Sequence, residues 1–291
     1  MSAAVVPRPA SASLQTPQPG LLGDTKERDY AHKLSRFNRF AAPELRRAME
    51  SLHLQPGMRV LDAGCGTGEA LRWLRDAVGA QGSVLGIDLS TAHLALARPQ
   101  APADVDVIQA DVTMLPLQAG SFDLIWTVNT LNHLRDPLSG LSALLALLRP
   151  GGRVAWGQSS FLPDMYFAWD ARLERVTNEA VRSYYRDRYS LDERDLTGVR
   201  ALAGMLRQAG FKNVQARTFN IDRISPLAPN DEDYLLETIF RGTWGPRLQP
   251  YLSEDDYAEL LRLCDPGDPR FALRRPDFHF LQTFTLVVGS V

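Results

Sequence analysis

Only two cysteines, Cys65 and Cys264, occur among the 291 residues. That excludes a disulfide framework and a four-cysteine zinc site. Both read as reduced thiols, which suits a cytoplasmic protein. No apolar run approaches the roughly 20 residues of a membrane helix. The longest candidate, around Leu141 to Leu148, has the length of a buried helix. The segment Met1-Ser2-Ala3-Ala4-Val5-Val6-Pro7 lacks a charged leader and a proper apolar stretch, so no secretory signal is read there. An excess of one charge is missing too: 32 Lys+Arg face 34 Asp+Glu, a net charge of −2. This balance argues against a protein held mainly by phosphate contacts. The expectation is a chain with no nucleic-acid partner, no membrane span and no metal.

What is present is an ordinary soluble composition, 45% hydrophobic and 23% charged, in a chain long enough to bury a large core. Residues 1–24 carry Pro7, Pro9, Pro17 and Pro19 among Ala, Ser and Gln, and read as a flexible tail. One domain is expected over 25–291. Tyr30, Leu34, Phe37 and Phe40 recur at helical spacing, and Pro43 is read as opening a second helix, so N-terminal helices span 25–54. Apolar strands are then expected at 59–63, 83–88, 105–109, 122–128 and 153–156, with amphipathic helices between them at 69–78, 91–97 and 137–148. Such alternation means right-handed βαβ units and a parallel sheet. The second half reads as a helical, aromatic stretch at 161–189, a helix at 196–208, a strand at 213–220, helices at 232–241 and 254–264, and a closing β-rich run at 278–288.

The most informative segment is Val60-Leu61-Asp62-Ala63-Gly64-Cys65-Gly66-Thr67-Gly68. An apolar strand runs through three alternate glycines into a helix. Glycine lets the backbone turn sharply and lets a ligand approach it closely, and the helix N-terminus offers free N–H groups to a carboxylate. A dinucleotide fingerprint needs a glycine where Glu69 stands, and a P-loop needs a Gly-Lys-Ser/Thr that is absent. Asp88 ends the second strand, where a carboxylate can accept both hydroxyls of a ribose; the residue type equally suits a helix N-cap before Thr91. Asp111, in Gln109-Ala110-Asp111-Val112, can accept from an exocyclic amine, and the next backbone N–H can meet a ring nitrogen; a surface turn uses the same residue. The fourth strand, Phe122 to Val128, emerges at Asn129. Ligands of open α/β sheets bind outside the carboxyl ends of the strands, where all four elements fall in order.

Residues 26–158 resemble a class I S-adenosylmethionine-dependent methyltransferase, closest to the small-molecule group that includes the ubiquinone/menaquinone-type enzymes. The resemblance is carried by the 61–68 loop, Asp88, Asp111, Phe122-Asp123 and the Leu148-Arg149-Pro150-Gly151-Gly152 turn. It implies an α/β, Rossmann-like, seven-stranded sheet, mostly parallel with the last strand antiparallel, carrying helical lid insertions at 161–191 and 225–277. It also implies S-adenosyl-L-methionine as cofactor. The backbone of Gly64, Cys65, Gly66 and Gly68 would cradle the methionine part, with Asp62 ordering the loop or meeting the ammonium. Asp88 would hold the ribose, Asp111 and Val112 the adenine edge, and Leu89 and Met114 its faces. Asn129 lies where the family contacts the methionine amino group.

Methyl transfer needs alignment, exclusion of water and, for a protonated acceptor, a base. His133, just after the fourth strand, is the expected catalytic base, ahead of His32; His53, His93 and His279 read as structural or surface. Tyr30, Phe37, Tyr166, Trp169 and Trp244 are the expected substrate-binding residues, alongside Phe40, Phe167 and Phe240, and large aromatics suit an apolar or aromatic metabolite. A nucleic-acid amino-methyltransferase is disfavoured, because Asn129-Thr130-Leu131-Asn132 replaces the Asn/Asp-Pro-Pro-aromatic motif. A non-catalytic binder of the cofactor and a protein methyltransferase stay open. So does the role of residues 225–277, as lid, homodimer surface, or both.

Overall fold

Short apolar strands alternating with amphipathic helices can bury both their faces only by winding into a layered sheet. The computed structural model describes residues 30–134, 136–160, 165–167, 170–189 and 200–291; the expected tail 1–24 and Trp169 lie outside the described residues. Strands β1 (Arg59–Ala63), β2 (Ser83–Asp88), β3 (Asp106–Gln109), β4 (Phe122–Val128) and β5 (Leu148–Ser159) form a parallel block in the order 3-2-1-4-5. The sheet is completed by β6 (Tyr166–Phe167), β7 (Lys212–Ile224) and β8 (His279–Ser290). β8 runs antiparallel to β5 and to β7, as the family resemblance implied for the closing run. The seven expected strands are all there. The eighth, β6, is a two-residue ribbon that pairs with Leu281 and Phe280 of β8.

Helices α1 (Ala31–Glu50), α2 (Glu69–Val78), α3 (Thr91–Gln100), α4 (Pro137–Leu147), α5 (Ala171–Tyr189) and α6 (Leu202–Gln208) follow or flank the strands. Then come α7 (Pro229–Asp233), a π-helical stretch Tyr234–Trp244, α8 (Gly245–Leu248) and α9 (Glu254–Cys264). Their starts carry the expected chemistry. Ser90 Oγ accepts from the His93 N–H, Asp136 from those of Leu138 and Ser139, and Ser253 from that of Asp256. One face of the sheet packs Leu124, Trp126 and Phe280 with Phe40 and Leu45 of α1 and Tyr234 of the insertion. The other packs Ile125, Trp156 and Val287 with Leu144 of α4 and Leu206 of α6.

Two expectations about elements are corrected. Pro43 does not start a new helix but lies inside the single helix α1. Proline in a helix interior costs about 3 kcal/mol, yet α1 continues because burial on both sides of it outweighs that cost. Phe40, Ala41, Leu45 and Ala48 are all at most 4% exposed. The carbonyl of Phe40 also accepts from Arg223 of β7 at 2.6 Å. The second correction concerns 161–189, read as wholly helical. Residues 166–167 are strand instead, because the end of β8 extends past β5 and needs a partner there.

Arg223 ties this half of the molecule together. Its guanidinium meets Glu44 at 2.9 Å and Asp231 at 3.0 Å, and lies 4.8 Å from the Phe40 ring centroid. Glu44 is only 4% exposed. Removing Arg223 leaves that buried carboxylate beside Arg47, at 3.2 Å. Arg223→Ala is therefore expected to lower the unfolding free energy by about 2–4 kcal/mol, read by urea denaturation.

Candidate functional site

Strand order reverses between β1 and β4, and a crevice opens there at the carboxyl ends of the strands. Asp62 of β1 pairs with Gly86 of β2, and Asp88 of β2 with Gln109 of β3, so successive strand ends align along one rim. β1 runs into Gly64-Cys65-Gly66-Thr67-Gly68, whose glycines have φ of +83°, +54° and +89°. Side chains rarely adopt such values. At Gly64 there is no room either, since a Cβ would fall 2.1 Å from Thr130 Oγ1, in the loop after β4. At Gly66 it would strike Leu34 of α1 at 2.6 Å.

The pocket on this rim holds about 1170 Å³ of empty space, counted out to its open mouth. The β1 loop contributes Asp62, Gly64, Cys65 and Gly66, and the β2 end Asp88 and Leu89. The β3 end contributes Asp111 and Val112, the β4 end Asn129 and His133, and Tyr30 comes from the approach to α1. Gly68 does not line it. Its missing side chain instead lets α2 and α3 approach, with Ala97 only 3.1 Å from where a Cβ would be.

Each acid is held differently. Asp88 Oδ2 accepts from the Gly66 N–H at 2.9 Å, and Oδ1 from the Ser90 N–H at 2.9 Å. The N-cap of α3 is Ser90 rather than Asp88. Asp111 Oδ1 accepts from the N–H and hydroxyl of Thr113, at 2.8 and 2.7 Å. Asp62 is 2% exposed, and its Oδ2 has no hydrogen-bond partner. Burial, reinforced by the charges of Asp88 and Glu69, pushes its carboxyl well above the usual carboxylate range. Asn129 sits at φ +52° and spends its side chain on β5: Oδ1 accepts from the Ser159 N–H at 2.8 Å and Nδ2 donates to Ser159 Oγ at 3.2 Å.

Several expected residues are not brought here. Phe37 packs on Tyr234, with centroids 5.8 Å apart. Phe40 stacks on the same tyrosine at 4.2 Å. Trp244 is 1% exposed and stacks on Phe240 at 5.4 Å, while Phe167 packs on Trp244 at 4.9 Å. These rings are core, because the π-helical stretch and β8 need apolar filling between them. Met114 is 77% exposed, and His32 is exposed and outside the pocket, while the side chain of Tyr166 lies outside what the structure describes. Among the residues whose side chains are described, none of 165–189 or 225–277 lines the pocket. Asp123, part of the quoted strand motif, works at the other end of β4, accepting from the Arg59 N–H at 2.7 Å and pairing with Arg149.

Other lining residues were missed. Leu34, Asn38 and Trp73 face the pocket from α1 and α2, and Asn38 Nδ2 donates to Glu69 Oε2 at 2.8 Å. Nothing local marks them, since their role depends on how α1 crosses the glycine loop. His93 also lines the pocket, 2% exposed. Its place two positions into a helix that starts just after Asp88 was the available signal.

A raised Asp62 pKa fixes a pH dependence. A carboxyl that holds its proton more tightly when folded contributes stability at low pH that is lost as pH rises above its unfolded pKa of about 3.9. Asp62→Asn removes that loss. The variant without ligand is expected to melt higher than the parent near pH 8 and to converge with it near pH 4. Thermal melts across that range check this, and an equal or lower melting temperature at pH 8 contradicts it.

Residues 60–152 match the family model described as a methyltransferase domain. The chain is 37% identical over 169 residues to an uncharacterized 37.1 kDa protein of transposon TN4556 from Streptomyces fradiae, covering 56% of this chain and 46% of that protein. The chain thus spans less than half the length of that relative. It is 27% identical over 182 residues to a demethylmenaquinone methyltransferase from Shouchella clausii, covering 59% of this chain and 77% of the relative. The crystal structure of a SAM-dependent methyltransferase from Aquifex aeolicus shares the fold, with a TM-score of 0.50 and 20% identity over 66% of this chain and 92% of the other. No described helix is long and apolar enough to cross a membrane. Residues 60–152 thus carry a methyltransferase domain, set in a fold shared with that S-adenosylmethionine-dependent enzyme.

Proposed function

We propose that the chain transfers the methyl group of S-adenosylmethionine to a small apolar or aromatic metabolite by in-line displacement. The observation that carries this reading is the charge of the pocket wall. Asp62, Glu69, Asp88 and Asp111 all line it, and no Lys or Arg does so among the described residues. Such a wall favours a cationic cofactor and disfavours an anionic acceptor such as a nucleic acid. The relative from Shouchella clausii is named for a demethylmenaquinone acceptor, which supports a ring-bearing metabolite here.

The residues present fit the cofactor. Asp62 Oδ2, buried and unpartnered, suits an ammonium group. Gly64 and Gly66 present bare backbone to the pocket, which a ligand can approach closely. In this reading Asp88 takes the ribose hydroxyls, Asp111 and the Val112 N–H the adenine edge, and Leu89 one adenine face. When bound, S-adenosylmethionine supplies a methyl on a sulfonium, already a strong electrophile. The chain has to hold the acceptor in line, keep water out and remove a proton where the acceptor carries one.

His133 is the proposed base. It sits on the single turn Leu131–His133 after β4 and lines the pocket beside Tyr30, with ring centroids 6.2 Å apart. Tyr30 is the proposed aromatic contact for the acceptor. General-base assistance contributes typically 10²–10⁴-fold. His133→Ala is therefore expected to lower kcat about a hundredfold and to leave cofactor affinity alone; a normal rate removes the base assignment. The function itself is tested by incubating the protein with tritiated S-adenosylmethionine and cell extract, then separating by size. Label is expected in the metabolite fraction. Label confined to protein or RNA overturns the small-molecule reading.

A further inference from the structure

His93 was read as structural, and the mechanism above does not use it. Yet it occupies the space directly behind the proposed ribose site. Its Nδ1 lies 3.3 Å from Asp88 Oδ1, while its own backbone N–H donates to Ser90 Oγ at 3.3 Å. The Tyr30 ring meets the imidazole edge-on, with centroids 4.4 Å apart. The side chain is 3% exposed and that of Asp88 12%. Nε2 is fully buried with no hydrogen-bond partner.

These facts constrain the ring. An ionised carboxylate can only accept, so the proton of the Asp88 contact belongs to Nδ1. With no acceptor at Nε2, a second proton there would be buried and unsatisfied, so the Nδ1–H tautomer fits best. Asp88 is then held by three donors, the Gly66 N–H, the Ser90 N–H and the His93 ring. The two backbone donors fix where the carboxyl group sits. The third, on a ring wedged beneath Tyr30, opposes its rotation.

We infer that His93 is a positioning residue that fixes the plane of the Asp88 carboxylate for a ribose diol, with Tyr30 clamping the ring from the acceptor side of the pocket. This rests on the assignment of Asp88 to the ribose. It makes Tyr30 a link between two tasks, since one ring faces both the acceptor space beside His133 and the imidazole behind the cofactor.

The test is titration calorimetry of S-adenosylmethionine and S-adenosylhomocysteine against His93→Leu, His93→Asn, His93→Gln and Asp88→Ala, with melting temperatures for each. Leu keeps the bulk and loses the donor. Asn places an amide N–H near the Nδ1 position, whereas Gln places it near Nε2. Loss of one donor to a charged acceptor should weaken both ligands about five- to tenfold in His93→Leu. His93→Asn should recover to within about twofold of the parent, and His93→Gln should not. Imidazole ¹⁵N spectra of the parent should show Nδ1 protonated and Nε2 bare. Equal affinities for all three His93 variants beside a weakened Asp88→Ala overturn the positioning role and leave the ribose assignment standing. Unchanged binding by Asp88→Ala removes the ribose assignment itself. Should His93→Leu fail to fold, the contrast between Asn and Gln decides the matter alone.

Discussion

The molecule depends on one close approach, the β1 loop against the β4 loop at the point where strand order reverses. Gly64 can have no side chain there, because Thr130 already fills the space a Cβ would take. The Thr130 hydroxyl donates to the Val128 carbonyl at 3.0 Å, which sets the path of the chain out of β4. The Gly64 and Cys65 N–H groups both donate to the Ile87 carbonyl at 2.8 Å, locking the same loop to β2. Three strand ends are thus fastened around one turn. The cost is a carboxylate, Asp62, buried beneath it without a full set of partners. A group held at such expense beside a cleft is one that a cationic ligand can relieve.

The second half of the chain supports this rim from a distance. α1 lies across the sheet and reaches the insertion through Arg36 to Asp233 at 3.0 Å and Lys33 to Thr243 at 3.1 Å. Its other contacts point to the pocket, with Leu34 over Gly66 and Asn38 on Glu69. One helix therefore packs on the insertion and on the glycine loop at once. Phe40 of α1 fastens it in place, stacking on Tyr234 of the insertion and meeting Phe280 of β8 edge-on.

The legible parts of the sequence were those whose signals are local. The 60–68 loop and the acids at strand ends each need only a few neighbouring residues to be recognised. Strand periodicity and the closing β-rich run were enough for the sheet. What failed depended on tertiary packing. Pro43 normally ends a helix, but burial around Phe40 and Leu45 carries α1 through it. Phe37 and Trp244 have the residue type of a substrate wall and the position of core, a difference that no spacing encodes. β6 exists because β8 outruns β5, a fact about two strands more than 100 residues apart in the sequence. His93 reads as structural or surface from the sequence, and its contact with Asp88 exists only because α3 packs beside the end of β2.

The central claim is that this acidic rim holds S-adenosylmethionine with its amino-acid end at Asp62 and its ribose at Asp88. A crystal structure with that ligand bound tests it most directly. The account predicts the ammonium within hydrogen-bond distance of Asp62 Oδ2 and the ribose hydroxyls on Asp88, with Gly64 and Gly66 against the methionine chain. Ligand bound elsewhere, or seated on this rim with Asp62 and Asp88 both untouched, would contradict it.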